Sequence, residues 1–426
     1  MTRIQVLAIA GVSVCLAIAG AQDKNEDKAK VKGIRQYAKD GSAGIPKIAP
    51  YLDDQSVEVR MEAAKVLGDI GTQSSFDPLI KATADSDPDI QIQAIGGLVN
   101  FYYPGYIQSG FQKMSTSIKG KFTDTNTQSI PTYINVRPDV IAAIANVLRG
   151  SASTTARAAA ARAEGVLRGT AAVPDLEAAL RSKDDSLMYE SFIALQKIGD
   201  KSAGPAVSVY TRDLDEKVKI AAIETVGLLR YKDGVPGLER VYNESSNDKV
   251  RRAALGSLAM LGDQHTRPLF LGAAVDKDEG VRAAAAEGIG RLGNTEDMPT
   301  VEKLFNEERK MSPRLGQAFA LVLLGKTEVT EFSPLQYLVN TLNSSSYRGV
   351  AEAYLAELAR KPDVREQLYA ALDRGTKDEK KGIARVLAVS GDKRSLEKLQ
   401  PLTRDPDDDV ASESIRAVKA LQARTL

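Results

Sequence analysis

The chain has 426 residues, of which 43% are apolar and 27% charged, with one histidine, one cysteine and no tryptophan. So small a set of soft ligands excludes a disulfide framework and zinc sites of the usual His/Cys kind. The 57 basic and 56 acidic side chains nearly cancel and interleave, as in Glu302, Lys303, Glu307, Glu308, Arg309 and Lys310, so no basic stripe marks a nucleic-acid binder.

The first 21 residues stand apart. Arg3 precedes an uncharged, largely apolar run from Ile4 to Ala19, and Ala19-Gly20-Ala21 offers a small-x-small exit before Gln22. Positive start, apolar middle and small exit are the parts of a cleavable secretory signal. A retained anchor is the first competing reading, because the run is near the lower limit for spanning a bilayer. A lipid-modified Cys15 is the second, and Val14 in front of it disfavours it. The signal reading predicts removal of residues 1–21, a periplasmic or secreted bacterial location and no stable membrane insertion afterwards. Losing Arg3 lowers the 57 basic side chains to 56, equal to the acids, and losing Cys15 leaves no thiol. Residues 22–30 are too charged for a core and read as a solvated leader.

From residue 31 a pattern recurs about every 31 residues, clearest as Val-Arg-x-x-Ala-Ala-x-x-Leu-Gly at Val59–Gly68 and its copies from Val250 and Val281. With that valine as anchor, units begin near 59, 90, 156, 187, 218, 250, 281, 313, 347, 380 and 410, spaced by 30 to 34 residues except for one gap of 66. A period of this size marks a solenoid whose units cannot bury their apolar faces alone. Each unit reads as two helices. Val250, Ala253, Ala254, Leu258 and Leu261 share one face of the first. Asp54, Asp87, Asp185, Asp215, Asp248 and Asp278 are placed to cap its start, and Gly71, Gly199, Gly262, Gly293, Gly325 and Gly391 to close it. Pro46, Pro78, Pro138, Pro174, Pro205, Pro236, Pro268, Pro299, Pro334 and Pro362 announce the second helix, in the same register.

The gap of 66 holds an insertion of about 101–137. Seven of the 23 aromatics (14 Tyr and 9 Phe) fall between 101 and 133. A long connection rich in aromatics is seldom passive. Tyr102, Tyr103, Tyr106, Phe111 and Phe122 are the expected partner-binding anchors, with Lys119 and Lys121 as a charged rim. Lys113, Lys119, Lys121 and Arg137 against a lone Asp124 favour a partner with an acidic face. The competing reading has these rings fold back and plug a groove in the insertion's own solenoid, with a short hairpin near Tyr133-Ile134-Asn135-Val136.

The Asp-x-x-Val-Arg-x-x-Ala-Ala-x-x-Leu-Gly string at 278–290, with copies at 248–258 and 54–68, resembles the HEAT-repeat family, in particular its short-unit, phycobilisome-lyase-like subfamily. The resemblance spans about 31–426. It implies an all-α fold, a HEAT-type alpha solenoid of about 11 antiparallel helix pairs, second helices lining the concave side, on the order of 100 Å long. That subfamily includes lyase subunits, a metal-dependent hydroxylase and plain scaffolds.

Candidate chemistry is sparse. The lone His265 sits in the turn Gly262-Asp263-Gln264-His265-Thr266, with Ser257 as the nearest serine in sequence and no Gly-x-Ser-x-Gly string. No His-Glu pair exists to hold the irons of the hydroxylase relatives. Asp405, Asp407, Asp408 and Asp409 could gather a cation but stand at a helix start, where acids are expected. Gly288-Ile289-Gly290 lies within a repeat helix and is no phosphate loop. The recurring Arg60, Arg157, Arg251, Arg282, Arg314 and Arg348 read as a structural ladder beside recurring acids. The sequence therefore points to a non-catalytic scaffold or adaptor without cofactor, metal or catalytic residues, binding a protein partner. The alternative is an enzyme or accessory subunit of the lyase or oxidoreductase type.

Overall fold

The computed structural model describes residues 25–106, 128–131 and 134–425. Among these the fold is all-α, and no strand occurs. Residues 134–136, where a hairpin was expected, are irregular, with the Ile134 N–H donating to the Pro131 carbonyl at 3.1 Å.

Contacts divide the chain into two compact units, residues up to 209 with 213–225, and 210–212 with 226 onward. In the first unit the long helices Val57–Ile70, Pro88–Tyr102, Thr154–Leu167 and Asp185–Ile198 pack side by side. Their second helices, Phe76–Ala82, Pro138–Gly150 and Val173–Ala179, form the other layer. The second unit repeats the scheme with long helices Asp248–Leu261, Glu279–Leu292, Met311–Leu323, Arg348–Leu358, Lys377–Ser390 and Asp408–Thr425. Val235–Glu244, Arg267–Ala273, Met298–Glu307, Pro334–Thr341, Pro362–Arg374 and Lys393–Leu399 are its second helices.

The core sits between the layers and is set by the repeat register. The anchors Val59, Ile90, Ala156, Leu187 and Val281 are all fully buried. Helix stops follow the expected glycines at Gly71, Gly199, Gly262, Gly293 and Gly325, each at positive φ. Gly391 differs: its φ is −74° and ψ 171°, extended backbone open to any residue. Crowding keeps glycine there, since a Cβ would lie 2.4 Å from the Leu387 carbonyl oxygen. Conversely, Arg168 and Arg230 take the left-handed stop with φ of 52° and 54°. Prolines occupy the first turn of the second helices at Pro138, Pro174, Pro205, Pro236, Pro268, Pro299, Pro334 and Pro362. Asp87, Asp215 and Asp278 accept the N–H groups they were expected to cap. The cap moves to Asp184 beside Asp185 and to Asn247 beside Asp248, while Asp54 accepts the Ser56 N–H just ahead of its helix and pairs with Lys30.

Candidate functional site

Four of the six recurring arginines hold an acid as expected of a ladder, and Arg157 and Arg314 do not. Arg60 Nε donates to Asp85 at 2.8 Å and its Nη1 to the Asp54 and Gln55 carbonyls. Arg282 Nε reaches Glu308 at 2.8 Å and its Nη1 the Asp276 and Lys277 carbonyls. Arg251 pairs with Asp276 at 2.5 Å and Arg348 with Asp378 at 3.2 Å. Arg157 lacks an acid but gives its Nε to the Leu148 carbonyl. Each arginine thus ties one turn to another, as the sequence suggested.

Arg314 does neither. Its guanidinium carbon lies 4.9 Å from the ring centroids of both Phe305 and Tyr337, and its buried Nε has no hydrogen-bond partner. Asp85 and Asp276 stand three residues past their second helices, Phe76–Ala82 and Arg267–Ala273; Ser344 holds that place past Pro334–Thr341. Ring faces have replaced the carboxylate.

A pocket of about 500 Å³ opens around this arginine. Phe305 and Tyr337, 5.5 Å apart edge to face, form its wall. Tyr337 directs its hydroxyl to Met311 Sδ at 3.1 Å, and burial pushes its phenol up from the ordinary value. Gln336 and Asn340 line another side, joined by a 2.6 Å amide hydrogen bond. Glu331 and Phe332 stand at the rim. Phe332 is 86% exposed and adopts φ 65°, a left-handed conformation that costs a bulky L-residue energy. Its turn is pinned on both sides. Ser333 N–H donates to the Thr330 carbonyl, Ser333 Oγ caps the helix at Gln336, and Val329 N–H donates to Gln367.

Sequence reasoning missed this site, though one signal was present. The spacing of 34 from anchor 313 to 347 is the widest ordinary one, and the extra length falls in the connection that carries Phe332.

Of the residues it favoured, three are described. Tyr106 is buried at 9% exposure, which pushes its phenol up, close enough to feel Arg162 and Glu190. It is a packed ring, not an exposed anchor. Tyr102 is half-buried, stacks on Phe76 with centroids 5.7 Å apart, and accepts the Arg137 N–H at 3.1 Å. Tyr103 is half-buried and Phe111, Lys119, Lys121 and Phe122 lie outside the described residues. The insertion's far end is also fixed. Ile130, 2% exposed, donates its N–H to the Val166 carbonyl at 2.9 Å, and Arg168 Nε donates to the Ile130 carbonyl at 3.0 Å. Arg137, counted in the insertion's basic excess, is taken up by Asp77 and Asp139. Beside these ends, Arg162 pairs with Glu190 at 2.5 Å and burial pushes the Lys197 ammonium down to about 8.

The other candidates have partners within the chain or are buried. His265 is exposed, with Nε2 3.1 Å from Glu239, while Ser257 is fully buried. Asp405 pairs with Lys380, and Asp407 and Asp409 share Lys377. Asp407 also caps its helix at Val410. Among the described residues no cluster of three metal-ligating side chains forms, and no helix is long and apolar enough to cross a membrane.

The family model for HEAT repeats matches residues 17–109, 141–227 and 235–321. The unmatched 110–140 falls on the insertion, and the last match stops just before the turn that carries Phe332. No curated protein matches the chain in sequence. Among solved structures, an engineered protein is 18% identical over 89% of this chain and 98% of its own, with a TM-score of 0.34. The complex of CpcE and CpcF of phycocyanin lyase from Nostoc sp. PCC7120 is 22% identical over 59% of this chain and 94% of that one, with a TM-score of 0.40. YibA of Escherichia coli is 16% identical over 68% and 94%, with a TM-score of 0.41.

Proposed function

The chain belongs to the HEAT-repeat family, and from that premise we propose that it is an exported, non-catalytic scaffold that holds a protein partner in the Arg314 pocket. Stacked helix pairs supply surface for protein–protein interaction. The observation that carries the reading is Phe332: a phenylalanine held at positive φ, 86% exposed, at the mouth of an aromatic-walled pocket. Strain and exposure both cost stability, and the pinned turn maintains them at a concave apolar site of ligand-binding size. Aromatic and arginine side chains at such a site are the usual centres of interface energy.

Support for export comes from Arg3, the apolar run after it and Ala19-Gly20-Ala21. Composition alone supports Phe111, Phe122, Lys119 and Lys121 as a further contact. The test is affinity capture from envelope and secreted fractions of the producing cell, with N-terminal sequencing of the recovered chain. We expect a start at Gln22 and a stoichiometric protein that Phe332→Ala loses. A second arm replaces 107–127 with a Gly-Ser linker and reads the insertion's share. Capture unchanged in both variants would overturn the proposed contact, and recovery with Met1 intact would overturn export.

A further inference from the structure

In the ladder of the second unit, Arg251, Arg282 and Arg348 each hold a carboxylate within 3.2 Å, and Arg314 holds none. We propose that Arg314 receives the carboxylate of an acidic side chain in an extended segment of the partner, with an adjacent apolar side chain packed on Phe332. This rests on the reading of the pocket as the partner contact and adds the chemistry of what enters it.

Complementarity carries the argument. Ring contacts occupy the faces of a guanidinium and leave its in-plane N–H groups to bond, the geometry that suits a carboxylate. The Nε of Arg314 is unpartnered and shielded from solvent, so the terminal N–H groups of the guanidinium receive the carboxylate, as those of Arg291 receive Glu357. The place of the ladder acid is held by Ser344, so the chain supplies no competing charge from that position. Arg314 is half-buried against Phe305 and Tyr337, and charge pairs that are partly desolvated are stronger than exposed ones. A volume of about 500 Å³ accommodates more than one side chain. Exposed Glu331 at the rim selects further. It repels a run of acids, so the segment carries a single carboxylate among neutral or apolar neighbours.

The test is selection of heptapeptides from a random phage-displayed library on the immobilised full chain. It is followed by fluorescence anisotropy on each selected peptide and its carboxamide analogue. The expected peptides pair one acidic residue with an apolar one, and the wild type prefers acid over amide by about tenfold or more. Arg314→Gln should level that preference, and Phe332→Ala should weaken acid and amide forms alike. Equal binding of acid and amide to wild type, still weakened by Phe332→Ala, sinks the carboxylate inference and leaves the partner contact standing. No enrichment beyond that obtained on the Phe332→Ala chain sinks both. Should Arg314→Gln fail to fold by circular dichroism, the acid-against-amide ratio on wild type decides alone.

Discussion

Glu164 shows how a single side chain sets a pH response. It is fully buried on the helix Thr154–Leu167, and neither carboxylate oxygen has a hydrogen-bond partner. Burial, with Asp175 acting in the same direction, raises its pKa well above the ordinary 4.5. The unfolded chain therefore releases this proton near 4.5 while the folded chain keeps it. The stability that Glu164 confers is full below that value and falls as the pH rises toward the folded pKa. Glu164→Gln removes the titration. Urea unfolding from pH 4 to 8 should show the variant gaining on wild type as pH rises, by at least ~1 kcal/mol at pH 7; parallel curves would contradict this. The position itself was legible: Glu164 lies eight residues past its anchor, where Leu67, Leu258 and Ile289 fill the core in other units. Its protonation needed the surroundings. Arg314 was legible as a ladder member but not as the exception, because Phe305 and Tyr337 lie 32 residues apart in sequence and meet only through the packing of Met298–Glu307 on its neighbours.

Between elements, the approach of long helices depends on small residues in fixed register. A Cβ on Gly165 would lie 2.7 Å from the Ala194 Cα, and one on Gly290 2.6 Å from the Ala320 Cα. In both pairs the ninth residue past one anchor meets the seventh past the next. Backbone atoms have no rotamer by which to yield, so Gly290→Ala should separate the helices Glu279–Leu292 and Met311–Leu323. A destabilisation of about 1–3 kcal/mol is expected from such overpacking, read as a lowered Tm in calorimetry. An unchanged Tm would show that the stack gives way more easily than the geometry implies. Helix pairs, proline starts and most glycine stops were legible because each follows from local backbone chemistry at a fixed period. Caps slipped by a residue or two because neighbouring Asp, Asn and Ser compete for the same N–H groups, and only the realised backbone angle selects Asp184 over Asp185.

Across the whole molecule, the sequence led the partner search to the insertion, where aromatics are densest. Aromatic density there serves packing in part: Phe101, Tyr102 and Phe76 form a ring cluster with centroids 4.6 to 5.7 Å apart, and Tyr106 is buried. Composition reports how much apolar area a segment carries, and only tertiary structure reports which side of it water reaches. Among the described residues the exposed ring lies at Phe332, a single phenylalanine that no count would single out. A partner protein seated in this pocket lies within reach of a crosslinker at its mouth, so site-specific photocrosslinking in the producing cell reads the contact itself. A photoreactive phenylalanine analogue at position 332 should give one discrete protein adduct, absent from the same analogue at Val389, which is 60% exposed on another helix. No adduct from 332, or the same adduct from both positions, would contradict the account.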